Sequence, residues 1–168
     1  MRKTALLLIL SILVLFTSCK TQSKKQITVA EAGYTCLATV IYNDLNLKTK
    51  VNVSGGGVFS AEIIEPNALS GLRFDFNNDN MSVSYNDIKQ TEPLTIKTLG
   101  FAQLLKDVFA VLTAGATASE KQGEEYILSG FASGIKYVLS INKQGFPLSL
   151  KMPKVELTAN FSDWKYNK

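Results

Sequence analysis

Residues 98–114 read T-L-G-F-A-Q-L-L-K-D-V-F-A-V-L-T-A, and they constrain the fold more than any other stretch. Phe101, Leu105, Val108 and Leu112 fall at helical spacing, and Leu104, Phe109 and Val111 widen their stripe. Polar side chains are confined to Gln103, Lys106 and Asp107, with Thr98 placed to cap the start and Gly115 the end. An apolar face well beyond the usual ~100° has to be covered on most sides. Nothing else of comparable length has helical period, so the cover has to be a sheet. A sheet that wraps one helix has to curl around it.

The rest of the chain supplies such a sheet. Leu45, Leu47, Thr49, Val51 and Val53 alternate with polar Asp44, Asn46, Lys48, Lys50 and Asn52, the pattern of a strand with one face buried. Residues 34–42, 58–64, 72–76 and 81–85 are further strands, so the region from 34 to about 88 is a meander of five. Asn43-Asp44, Ser54-Gly55-Gly56-Gly57 and Asn77-Asn78-Asp79-Asn80 are its turns, and Pro66 breaks the third strand from the fourth. After a polar loop at 116–123, four more strands are expected at 126–131, 135–141, 146–151 and 155–161. Their connections are of hairpin length. The expected fold is mostly β: an open antiparallel barrel, or strongly curved meander, of about nine strands. One apolar helix at about 98–114 lies in or across the concave face. Trp164 and Tyr166, two apart in F-S-D-W-K-Y, share a strand face, where they close the barrel rim or form an exposed contact patch.

The N-terminus is of another kind. Arg2 and Lys3 precede a run from Ala5 to Phe16 whose one polar member is Ser11. The run falls short of the ~20 residues a membrane span needs, and it fits the h-region of a secretory signal. Residues 15–19, L-F-T-S-C, resemble the lipobox of bacterial lipoproteins, with Phe16 at the usual Leu position and Leu15 one residue further back. The resemblance implies cleavage after Ser18 and attachment of diacylglycerol, with further acyl (palmitoyl-type) lipid, to Cys19. Residues 1–18 are then the signal, 19–26 the lipidated cysteine and a polar tether, and 27–168 a single domain. Thr28-Val29-Ala30-Glu31 has the spacing of a capping box for one short helical turn.

Much chemistry is excluded. The sequence has no histidine, the commonest general base and metal ligand. With Cys19 lipidated, Cys36 has no partner for a disulfide or a thiolate metal site, and its setting in Y-T-C-L-A-T-V-I-Y is that of a small buried hydrophobe. Ser54 before three glycines lacks both a histidine to activate it and the Gly-Lys-Ser/Thr end of a phosphate loop. Asp75 with Asp79 and Glu124 with Glu125 are carboxylate pairs without the oxygen spacing of a calcium loop. No metal, no other cofactor and no enzymatic activity are expected. Without Arg2 and Lys3 the chain has 16 basic and 14 acidic residues, a formal net charge of +2. No Lys/Arg block interleaved with aromatics suggests nucleic acid.

Residues 57–88, G-V-F-S-A-E-I-I-E-P-N-A-L-S-G-L-R-F-D-F-N-N-D-N-M-S-V-S-Y-N-D-I, run strand, Pro, aromatic strand, polar turn, strand ending near Tyr. With the apolar helix that follows, this order resembles the LolA/LolB-like outer-membrane lipoprotein carrier superfamily, or a branch of small lipoproteins sharing that fold. The resemblance implies an unclosed barrel whose cavity, between sheet and helix, binds lipid acyl chains without catalysis. The segment before Tyr34 is shorter than the family's opening helix, and no binding residue is carried over. From the residues themselves, Phe101, Leu104, Leu105, Val108, Phe109 and Leu112 of the helix, with Phe74 and Phe76 of the sheet, are the candidate ligand-binding set. Val51, Val53, Val83 and Tyr85 are further candidates for the inner sheet face. The same residues serve a filled core, in which case the domain is a scaffold that docks to an envelope protein or a signalling partner. Periodicity does not separate the two, because they differ only in the space left over. Either way a monomer is expected, held on the extracytoplasmic side of a membrane by its lipid.

Overall fold

The computed structural model describes residues 33–54, 57–77, 80–86, 88–93, 100–113 and 120–167. The expected signal, Cys19, the tether, the capping box at 28–31, the helix caps Thr98 and Gly115, and Asp79 lie outside the described residues. The elements are β1 (Tyr34–Tyr42), β2 (Leu45–Ser54), β3 (Val58–Glu65), β4 (Arg73–Asn77), β5 (Asn80–Tyr85), β6 (Ile88–Pro93), α1 (Gly100–Thr113), β7 (Glu120–Gln122), β8 (Glu125–Ala132), β9 (Ile135–Ile141), β10 (Pro147–Met152) and β11 (Leu157–Tyr166).

The strands form one antiparallel sheet in the order β6-β5-β4-β3-β2-β1-β11-β10-β9-β8-β7. It is two meanders laid side by side. The first and last strands pair at its centre, from Tyr34 opposite Tyr166 to Tyr42 opposite Leu157. Each meander then steps outward by hairpins. Asn43 and Asp44 take positive φ (46° and 66°), and so do Ser133 and Gly134 (49° and 74°), as a two-residue turn with the twist of its flanking strands demands. The two edges, β6 and β7, are consecutive in the chain on either side of α1.

The sheet is open and curved. α1 approaches both β3 and β8, which stand six places apart, roughly 29 Å in a flat sheet. A helix is only about 10–12 Å across, so the sheet must curl to present both strands to it. Buried on α1 are Phe101, Ala102, Leu104, Leu105, Val108, Phe109 and Leu112, which bears out the expectation of a helix covered on most sides. Facing them are Tyr34, Cys36, Ala38 and Val40 of β1, Leu47, Thr49, Val51 and Val53 of β2, and the in-phase residues of the other strands. Thr49 is tolerated in this core because its hydroxyl donates to the Ala38 carbonyl at 3.2 Å.

The strand count and the bounds of the last strand differ from the expectation. Among the described residues there are eleven strands rather than about nine. The extra ones are the two edges, β6 and, within the expected loop at 116–123, β7. Neither carries readable alternation: all three residues of β7 are exposed, and Ile88, the first residue of β6, is 75% exposed. Edge strands are defined by the ladder they join rather than by burial. The last strand begins at Leu157, not 155, and runs to Tyr166, not 161. A bulge at Thr35/Leu37 against Ser162–Lys165, with Asp163 at φ 54°, sets its two halves in opposite phase. Ala159 and Phe161 point inward before the bulge, and Trp164 does so after it.

Candidate functional site

The interface between α1 and the concave face gathers the eight candidate residues, none of them more than 7% exposed. The helix runs from one rim toward the other. Near its start Phe101 meets Phe74 edge to face at 5.7 Å and Tyr42 at 6.5 Å. Gly100 lets the helix and Tyr42 approach, since a Cβ there would displace the Tyr42 hydroxyl. Further along, Phe109 lies among Tyr34 (6.2 Å), Phe59 (5.9 Å) and Phe161 (5.6 Å), rings from β1, β3 and β11. Phe76 meets Phe59 at 5.9 Å. Leu104, Leu105, Val108 and Leu112 fill the turns between these rings. Of the remaining sheet-face candidates, Val51 and Val53 are buried and Val83 is partly so. Tyr85, the last residue of β5, is exposed instead, although Met81 on the same strand is buried.

A polar contact latches α1 to the second meander. Asp107 accepts hydrogen bonds from Ser133 Oγ at 2.5 Å and from Gln103 Nε2 at 2.7 Å, with Lys106 Nζ 3.6 Å away. Ser133 sits in the tight β8–β9 turn, so helix and hairpin are fixed to each other through a carboxylate. The pairing joins residues 26 apart in the chain, and sequence spacing gives no sign of it.

The rim opposite Tyr42 is lined by aromatic residues that the candidate set missed. Tyr34 packs on Trp164 (5.1 Å) and Phe146 (6.0 Å), Phe146 stacks on Trp164 (5.1 Å), and Phe161 lies 6.0 Å from Trp164. Tyr34, Phe59 and Phe161 stand in phase with their strands, so alternation was the signal that could have found them. Trp164 packs into this rim, whereas Tyr166 remains 54% exposed with its ring against Phe146. Among the described residues the Tyr34 hydroxyl and the Trp164 indole N–H are buried without a hydrogen-bond partner. Burial first, and the Cys36 thiol second, push the Tyr34 hydroxyl well above its ordinary range. Burial also pushes the Cys36 thiol up to about 12, consistent with a small hydrophobe rather than a nucleophile.

The convex face carries a different feature. A shallow groove of about 220 Å³ is lined by Thr35, Lys50, Asn52, Ser60, Glu62, Arg73 and Asn167. Asn167 ties its end, donating to Asn52 Oδ1 at 2.9 Å and accepting from Thr35 Oγ1 at 2.9 Å. The Arg73 guanidinium is paired with Asp75 at 2.8 Å and lies 3.9 Å from Glu62, so its charge is already answered. Among the described residues no three His, Cys, Asp or Glu side chains converge as metal ligands.

No protein-family model matches the sequence, and no curated protein matches it significantly. Solved structures do match. An uncharacterized conserved protein from Thermus thermophilus is similar with a TM-score of 0.55 at 12% identity, over 83% of this chain and 81% of that one. A LolA superfamily protein from Nitrosomonas europaea is similar with a TM-score of 0.44 at 12% identity, over 82% and 86%. A domain named for outer membrane lipoprotein sorting, from Vibrio parahaemolyticus, gives 0.43 at 10% identity, over 83% and 87%. At these identities what the chain shares with the Thermus protein is its fold.

Proposed function

We propose that this chain is a membrane-anchored bacterial lipoprotein of the cell envelope that binds a lipid or other hydrophobic ligand, without catalysis, between α1 and the sheet. The observation that carries this reading is the helix itself. Its wide apolar face, broken only by the stripe of Gln103, Lys106 and Asp107, lies against the concave face of an open sheet. The described contacts that hold it there are between side chains, with no ladder hydrogen bond to break. Moving α1 away from the sheet therefore opens an apolar surface without breaking a strand ladder. Cys19 supplies the covalent diacylglycerol anchor, and residues 20–26 the tether, so that the domain works on the extracytoplasmic side of the membrane. Native mass spectrometry of the protein purified from cells tests the reading. A co-purifying lipid is the expected result. A ligand-free spectrum that added fatty acids and acyl esters leave unchanged refutes it.

A second reading is favoured by the packing. The candidate ligand residues are all buried against one another and against aromatic neighbours, as in a finished core. On that reading the domain is a filled scaffold that binds a protein of the envelope, and the ligand-free spectrum is its expected result.

A further inference from the structure

The rim aromatic cluster contains two hydrogen-bond donors that the core does not use. Tyr34 is 1% exposed, yet its hydroxyl is unpartnered among the described residues, and so is the indole N–H of Trp164. Their rings are 5.1 Å apart. Two neighbouring orphans in one core need an explanation, because buried polar groups are nearly always satisfied and Phe would fill either place without a penalty. The indole can only donate, so the missing partner is an acceptor. Its surroundings argue against a charged one. The rings of Phe109, Phe146 and Phe161 meet this pair. A carboxylate placed there would be desolvated without a counter-charge. The position also suits a head group, since the two donors lie toward the end of α1 that carries Phe109 and Leu112, at the rim rather than in the middle of the concavity.

We propose that Tyr34 Oη and Trp164 Nε1 are the donors that recognise a neutral acyl-ester group at the head of a ligand whose chain lies between α1 and the sheet. The proposal rests on the ligand-binding reading above and adds to it the ligand's chemistry and its direction. The ester of a glycerolipid and that of an acylated cysteine share this chemistry.

Trp164 is the one tryptophan of the chain, so its emission reports the site directly. The full chain carrying Cys19→Ser, which has no covalent acyl group to compete, is titrated with methyl decanoate, decanoic acid and undecane from cyclodextrin, alone and with Tyr34→Phe added. The ester should shift the emission to the red as the indole N–H gains an acceptor, whereas the alkane should bind without that shift. Tyr34→Phe should weaken the ester about tenfold and leave the alkane unchanged. In the absence of ligand, Tyr34→Phe should unfold at the same temperature as the parent or higher. A lower temperature shows that the hydroxyl already has a partner, such as a trapped water, and overturns the proposal. Ester and alkane that bind alike, with and without the Tyr34 hydroxyl, overturn it while leaving the ligand-binding reading intact. Free acid that binds more tightly than ester overturns the choice of a neutral head group. Failure of every probe overturns both. Dioctanoylglycerol and a diacylated cysteinyl peptide are then compared. Dependence on Tyr34 in either supports the proposal, the tighter one naming the source, and dependence in neither refutes it.

Discussion

Truncating Phe109 to alanine tests whether the helix–sheet interface is what holds this domain together. The ring is 2% exposed and touches three rings on three strands, Tyr34, Phe59 and Phe161. Burial of a phenylalanine side chain stabilises by about 1.5–3 kcal/mol, and each well-oriented ring pair adds about 0.5–1.5 kcal/mol. Core Phe→Ala substitutions cost about 3–5 kcal/mol. Here the surroundings cannot collapse easily. The helix is pinned near its start by Phe101 against Phe74, and along its length by Asp107 against Ser133. The expected loss is therefore about 4 kcal/mol, from a total stability of order 5–15 kcal/mol. With a urea m-value of about 2 kcal/mol/M, the midpoint falls by about 2 M. Val111→Ala, partly buried on the same helix, is the control and should lose under about 1 kcal/mol. The space left by the ring lies between α1 and the sheet, so benzene at a hundred times its dissociation constant should restore about 2.7 kcal/mol. A midpoint within about 0.5 M of the parent, at unchanged m, would mean that this face of α1 does not rest on the sheet, and the architecture argued above would fail with it.

Other substitutions probe separate parts of the molecule. Cys19→Ala should move the protein from the membrane fraction to the soluble one, and persistence in the membrane would refute lipid anchoring. Gly130→Ala should cost about 1–3 kcal/mol, because its Cβ would come within 3.0 Å of the buried Tyr137 ring on the paired strand. The loss should vanish in a Tyr137→Leu background, and its survival there would assign it to the backbone instead. Cys36 has its thiol raised by burial from an ordinary 9.0 to about 12, so its contribution is complete below pH 9. As pH climbs from 9 toward 12 the unfolded chain releases the proton while the folded one keeps it, and stability falls. Tyr34, raised in the same direction, extends the decline. Cys36→Ala should flatten the alkaline slope of the urea midpoint, and equal slopes in the two chains would contradict the burial of the thiol.

Sequence by itself determined the main architecture of this protein. The Leu45–Val53 alternation, the Asn43-Asp44 turn and the wide apolar face of residues 98–114 each follow from a local period or a local backbone requirement. Such features survive without knowledge of the neighbours. The same locality made the eight candidate interface residues legible, since each lies on the apolar phase of its own element. Tertiary structure decided the rest. The edge strands β6 and β7 exist only because β5 and β8 offer them a ladder. The inward turn of Trp164 depends on a bulge in pairing with β1, more than a hundred residues earlier in the chain. The meeting of Tyr34 with Trp164, and of Asp107 with Ser133, likewise requires contacts that no period encodes. Local energetics write a side chain's face into the sequence. Which two faces meet is fixed by long-range pairing and burial, and in this fold the unpartnered donors lie where the first strand meets the last.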